Sequence, residues 1–190
     1  MAGKTQVSTS LLICEDGSAG ELDEILKGTS VFVVEPVRSP AAQSVTQGEI
    51  YTWHVVRVLE VLSLGSAATH DRCQPPSDLT VAPDELAIPA LHGTTVIDGI
   101  SVTMHSNRSF YLDAGQRYLV IAKRCGTDVA TLPQGPRNIF GIDDHGRVLA
   151  IPEQYPASFR EEMIAIGTVS GLARRLRRAQ ANAFKTAAAD

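Results

Sequence analysis

The run from Ile50 to Leu62, Ile-Tyr-Thr-Trp-His-Val-Val-Arg-Val-Leu-Glu-Val-Leu, constrains this chain more than any other segment. It is rich in β-branched and aromatic residues and contains neither glycine nor proline. It reads as one strand that would span roughly 40 Å at about 3.3 Å per residue. Apolar residues occupy both alternating sets, with Tyr51, Trp53, Val55, Leu59 and Val61 on one and Ile50, Val56, Val58 and Leu62 on the other. A strand covered first on one side and then on the other must twist sharply or carry a bulge, as strands in closed barrels do. A second run, Gly115-Gln116-Arg117-Tyr118-Leu119-Val120-Ile121-Ala122, opens a strand over 116 to 124. The two runs together predict a small closed β-barrel.

The segments around them fit that plan. Val31 to Val37 is a strand, expected to stop at Pro36 and Pro40 and to be followed by a loop over Ala41 to Gln47. Ser63 to Pro83, with Gly65, Pro75, Pro76 and Pro83, reads as a long surface loop. Glu85 to Leu91 is a strand. Thr94 to Ile97 and Ile100 to Met104 flank Asp98-Gly99, a hairpin turn that needs positive φ at both positions. Phe110 to Leu112 leads toward the strand at 116. Ile139 to Ile142 and Arg147 to Ile151 form a second hairpin across Asp143-Asp144-His145-Gly146.

Both ends carry helical signals. Ser18-Ala19-Gly20-Glu21 is a capping box opening a short helix over 20 to 27, which Gly28 ends. From Pro156 the apolar period lengthens from two to about 3.6. Ser158-Phe159-Arg160-Glu161 is a second capping box, and Phe159, Met163 and Ile166 share a face. After Gly167 and Gly171 a further helix runs from about Ser170 to Phe184, with Val169, Leu172, Leu176, Ala179 and Ala183 along one stripe. The expected fold is mainly β (α+β), an OB-like Greek-key barrel of five to six strands with one short helix before it and two after it. Its division is a poorly ordered leader over 1–17, a barrel domain over 18–151 and a helical appendage over 156–187.

Charge narrows the partners. The 190 residues carry a formal net charge of −4, which argues against nucleic-acid binding by the whole body. Arg174, Arg175, Arg177, Arg178 and Lys185 nevertheless crowd the last helix, so an anionic membrane surface, nucleic acid or an acidic partner is one reading of that segment. The plainer reading is a packed helix with solvated arginines. No stretch approaches the roughly 18 consecutive apolar residues of a membrane span. Leu11-Leu12-Ile13 is shorter than a signal peptide's apolar region of about 7–15 residues.

The candidate sites are sparse. His70 and Cys73 have the spacing of half a zinc site, the other half coming from His92, His105 or Cys125. Ser101, Ser109 or Cys125 beside His92 or His105 would make a nucleophile and base, although none lies in a nucleophile-elbow or thiol-enzyme motif. Asp143-Asp144-His145-Gly146 lacks the acidic spacing of a calcium loop and reads as a turn. Trp53 and Tyr51 are either core aromatics or a stacking platform of the kind OB folds use. No cofactor motif is present. Of Cys14, Cys73 and Cys125, the pair Cys73 and Cys125 is the expected disulfide in an oxidising compartment.

The order of a short helix, the strand Val31-Phe32-Val33-Val34-Glu35-Pro36-Val37, the run Ile50 to Leu62 and the Gly115-Gln116-Arg117-Tyr118-Leu119-Val120 segment resembles bacterial extracytoplasmic domains of the netrin-like, or tissue-inhibitor-of-metalloproteinase-like, class. The resemblance covers about residues 20 to 125. It implies an OB-type barrel, an extracytoplasmic location and a binding or protein-interaction role. Metalloproteinase inhibitors of this class act through an N-terminal cysteine and are held by several disulfides. Cys14 is internal and the chain has three cysteines, so inhibition does not carry over. The leading expectation is a non-catalytic module for an unknown protein or small ligand. The alternatives are a hydrolase or zinc-dependent enzyme built from dispersed His and Cys residues, and an association through the arginine helix.

Overall fold

The computed structural model of the chain describes residues 7–10, 29–46, 48–65, 74–106, 109–132, 138–149 and 157–187. Its strands are β1 (Val7–Ser10), β2 (Ser30–Thr46), β3 (Glu49–Ser63), β4 (Glu85–Leu91), β5 (Gly93–Ile97), β6 (Ile100–His105), β7 (Arg117–Cys125), β8 (Val129–Thr131), β9 (Ile139–Ile142) and β10 (Val148–Leu149). β2, β3 and β4 form an antiparallel meander. β8 pairs parallel with β4 and antiparallel with β7, and β7 returns antiparallel to β2. The result is a closed ring of five strands with the Greek-key connectivity of an OB-type barrel. β9 and β10 extend the sheet beyond β7. β5 and β6 form a hairpin outside the ring, with β1 parallel to β6.

The expectations for the Val31 strand and for the segment after it are corrected. The strand at Val31 does not stop at its prolines, and Ala41 to Thr46 is not a loop, because β2 runs on to Thr46 against β3. Proline cannot donate to a ladder and is accommodated at irregularities. Pro36 and Pro40 lie beside register shifts between Pro36 and Arg38 and between Arg38 and Ala42. The segment 129–131 is a strand that local pattern did not signal, and it closes the ring. Val7 to Ser10, within the stretch expected to be a poorly ordered leader, forms β1. The helix expected over 20–27 lies outside the described residues.

The bulge demanded by the double-sided pattern of Ile50 to Leu62 is present. Val34 pairs with Val58 but Val33 pairs with Glu60, so the β3 register slips by one residue between them. A one-residue slip moves a side chain to the opposite face. The Asp98-Gly99 turn has φ of 51° and 77°, as the hairpin signal required.

Three apolar clusters fill the molecule. Phe32, Val34, Val56, Ile88, Val120 and Ala130, with Phe110 and Leu112, occupy the barrel interior. Tyr51, Trp53, Ala87, Met104, Cys125 and Val129 form a second cluster against the β5–β6 hairpin, and Leu79 and Val81 pack on it. The segment expected as a surface loop therefore contributes to the core. The third cluster joins Val31, Val33, Leu119, Ile121 and Phe140 to the helices α1 (Ala157–Ile166) and α2 (Val169–Ala187) through Phe159, Met163, Leu172 and Leu176. The two helices share one core with the barrel.

The junction between these helices is sterically tight. A Cβ on Gly171 would stand 2.6 Å from the carbonyl oxygen of Ile166, so only glycine fits there. Thr168 caps α2, its Oγ1 accepting the Gly171 N–H at 3.1 Å. Burial of Leu172 and Leu176 contributes roughly 3–6 kcal/mol to docking of the helix.

Candidate functional site

The residues singled out in the sequence are scattered by the fold. Trp53 is 2% exposed, and its Nε1 donates to Ser44 Oγ at 2.8 Å. Tyr51 is also buried, its hydroxyl donating to Glu49. Both rings are enclosed and offer no open face for stacking. His70 and Cys73 lie outside the described residues. Ser109 Oγ bonds the Ser106 carbonyl rather than a histidine. Cys125 is disulfide-bonded, and the other half of the bond lies outside the described residues. Among the described residues no group of three His, Cys, Asp or Glu side chains is placed to hold a metal ion.

Arg174, Arg177 and Arg178 of α2 are exposed. Arg175 pairs with Glu162 at 3.2 Å, and Arg177 lines a cavity described below.

The sequence did not single out His54, which lies on β3 opposite Ile88 and is fully buried. Its ring is 5.1 Å from Phe110 and 6.3 Å from the buried His92, centroid to centroid. Ser39 Oγ is 2.5 Å from His54 Nδ1. The Nε2 atoms of both histidines are buried without a hydrogen-bond partner among the described residues. Burial, then the charge of His92, pushes the His54 pKa down to about 4. Burial also lowers that of His92, partly offset by a backbone hydrogen bond to Phe110. Ser39 and His54 have the geometry of a nucleophile and base but not the electrostatics. A general base must carry the proton it takes, and burial penalises the imidazolium.

The second feature is a cavity of about 320 Å³ on the outer wall of the sheet, beneath the start of α2. Val33, Glu60, Arg117 and Ile142 come from β2, β3, β7 and β9. His145 and Gly146 come from the β9–β10 turn. Thr168 and four residues of α2, Val169, Ser170, Ala173 and Arg177, complete the lining. The register slip in β3 puts Glu60, rather than Leu59, opposite Val33 here.

The walls are tied together by backbone. Val169 N–H donates to the Gly146 carbonyl at 3.0 Å, and Val148 N–H donates to that of Gly167 at 3.1 Å. Asp143 holds the turn by accepting the N–H groups of His145 and Arg147. Those bonds, the Arg147 N–H first, hold its carboxyl below the usual range. The acidic loop is thus a turn, with its leading carboxylate committed to backbone. Arg117 Nη2 donates to the Asp143 carbonyl at 2.9 Å, and Arg177 Nε to the Ala173 carbonyl at 3.2 Å.

The fold defines the class of object, an OB-like β-barrel whose helical flank borders a half-open, mixed-polarity cavity. The chain matches no family model, no curated protein and no solved structure.

Proposed function

We propose that this protein is a non-catalytic binding module, working outside the cytoplasm, that holds a small ligand in the cavity beneath α2. The carrying observation is the cavity itself. Six elements or turns converge on it, it is held open by backbone hydrogen bonds, and its volume is at the lower end of the range of about 300–1,000 Å³ for ligand pockets. Its lining supplies recognition groups: guanidinium, imidazole, carboxylate, hydroxyl and aliphatic side chains. It contains no nucleophile hydrogen-bonded to a base. The extracytoplasmic reading rests on the resemblance to netrin-like domains and on the disulfide at Cys125, since such bonds persist in oxidising compartments.

Thermal unfolding in the presence of a panel of small metabolites tests this reading. A ligand that binds only the folded state at about a hundredfold over its Kd adds roughly 2.7 kcal/mol and raises the Tm. Ser170 is an exposed lining residue, so Ser170→Trp fills the cavity without touching the core, and it should abolish the shift. A ligand whose effect survives Ser170→Trp, or one that is chemically turned over, would sink the proposal.

A further inference from the structure

We infer that the ligand of this cavity is a small amphiphilic anion, a carboxylate or phosphate carried on a short apolar body. This rests on the binding-module reading above and names the ligand's chemistry. Arg38, Arg57, Arg147 and Arg175 each have a carboxylate partner. Arg117 and Arg177 have none among the described residues, although both line the same cavity. Each gives one hydrogen bond to a backbone carbonyl, which orients the guanidinium and leaves most of its donor fork unused.

Glu60 shares the cavity yet makes no ion pair with either arginine. Both guanidiniums line the same recess, and an oxyanion bound there would take charge-assisted hydrogen bonds from their unused N–H groups. Ser170 places a hydroxyl on the same wall. Ile142 and Val169, beside Val33, supply an apolar lining for the ligand's body. The arginines therefore select the head group, the aliphatic side chains favour an attached carbon chain, and Glu60 opposes a head bearing excess negative charge.

The test uses four probes of equal chain length: hexanoate, hexyl phosphate, hexanol and hexylammonium. Binding is followed by amide chemical-shift changes in the full chain. The expected result is saturable binding of one or both anions, with shifts centred on residues 142–146 and 168–173, and at least about tenfold weaker binding of hexanol and hexylammonium. Which anion binds more tightly separates a carboxylate from a phosphate source.

Arg177→Met should weaken the anion about tenfold or more and leave hexanol unchanged, whereas Arg177→Lys should restore part of the loss. Glu60→Gln should tighten the anion a few-fold, an effect that a purely structural role for these residues would not give. Equal or tighter binding of hexanol or hexylammonium in the cavity would overturn the anion assignment while leaving the binding-module reading intact. Binding of an anion unaffected by Arg177→Met would overturn it as well. No shift with any probe at about 10 mM would also overturn it, leaving the metabolite panel and Ser170→Trp to decide the broader reading.

Discussion

At neutral pH His54 is an uncharged ring, because burial, and then the charge of His92, disfavours its proton. Its folded pKa of about 4 lies below the ordinary 6.5, so the unfolded chain takes up a proton that the folded chain refuses. The stabilisation is complete above about 6.5 and is lost as pH falls toward 4. The difference amounts to roughly 3 kcal/mol for this ring. His92, whose pKa burial also lowers, adds in the same direction, and His105 opposes its proton too. We expect urea midpoints to drop between pH 7 and pH 4.5, and His54→Gln to flatten that drop. A wild-type midpoint unchanged across this range would mean that the ring is solvated.

At the scale of an element, α2 shows how one helix serves both core and surface. Leu172 and Leu176 are buried against the barrel, while Arg174 and Arg178 face solvent. An apolar stripe already packed in this way is unavailable to a bilayer, which leaves only the charged side for an anionic partner. Leu172→Ala removes a fully buried side chain beside Val31, Leu119 and Phe159, and should cost about 2–5 kcal/mol in chemical denaturation. Arg174→Ala, on the exposed side, should stay within about 0.5 kcal/mol of wild type. Equal effects of the two substitutions would mean that the helix is not docked. The close approach of Gly171 to Ile166 belongs to the same junction, and it explains why a residue with poor helix propensity stands in the first turn.

For the whole molecule, the remaining open connection is the partner of Cys125. Cys125 shares its cluster with Leu79 and Val81, from the segment that follows Cys73 closely in sequence. We therefore expect peptide mapping without reductant, on protein from an oxidising compartment, to recover Cys73 linked to Cys125 and to leave Cys14 alkylated. Reduction should then cost about 2–4 kcal/mol of stability by freeing the loop between them in the unfolded chain. A Cys14–Cys125 peptide, or three alkylated thiols, would refute the pairing.

The sequence by itself determined whatever obeys a local rule. Alternation marked β3 and β7, Asp98-Gly99 marked its hairpin turn, and the longer apolar period after Pro156 marked α1 and α2. The double-sided pattern of Ile50 to Leu62 even required a bulge, though not at which residue. Other features depended on pairings between distant segments, whose energies no local window contains. β8 is three residues long and is a strand only because β4 and β7 flank it. β2 survives its prolines because β3 absorbs the irregular register. In the sequence His92 is one of several dispersed candidates and His54 is none, and their proximity comes from the alignment of β3 with β4 and the chain just beyond it. Glu60 reaches the cavity by a slip of one residue, and Arg117 and Arg177 both line it only because α2 folds back over β7 and β9. Composition and periodicity decide which faces are buried. Which polar groups then share a recess is set by register and by helix docking, and these exist only once the barrel has closed.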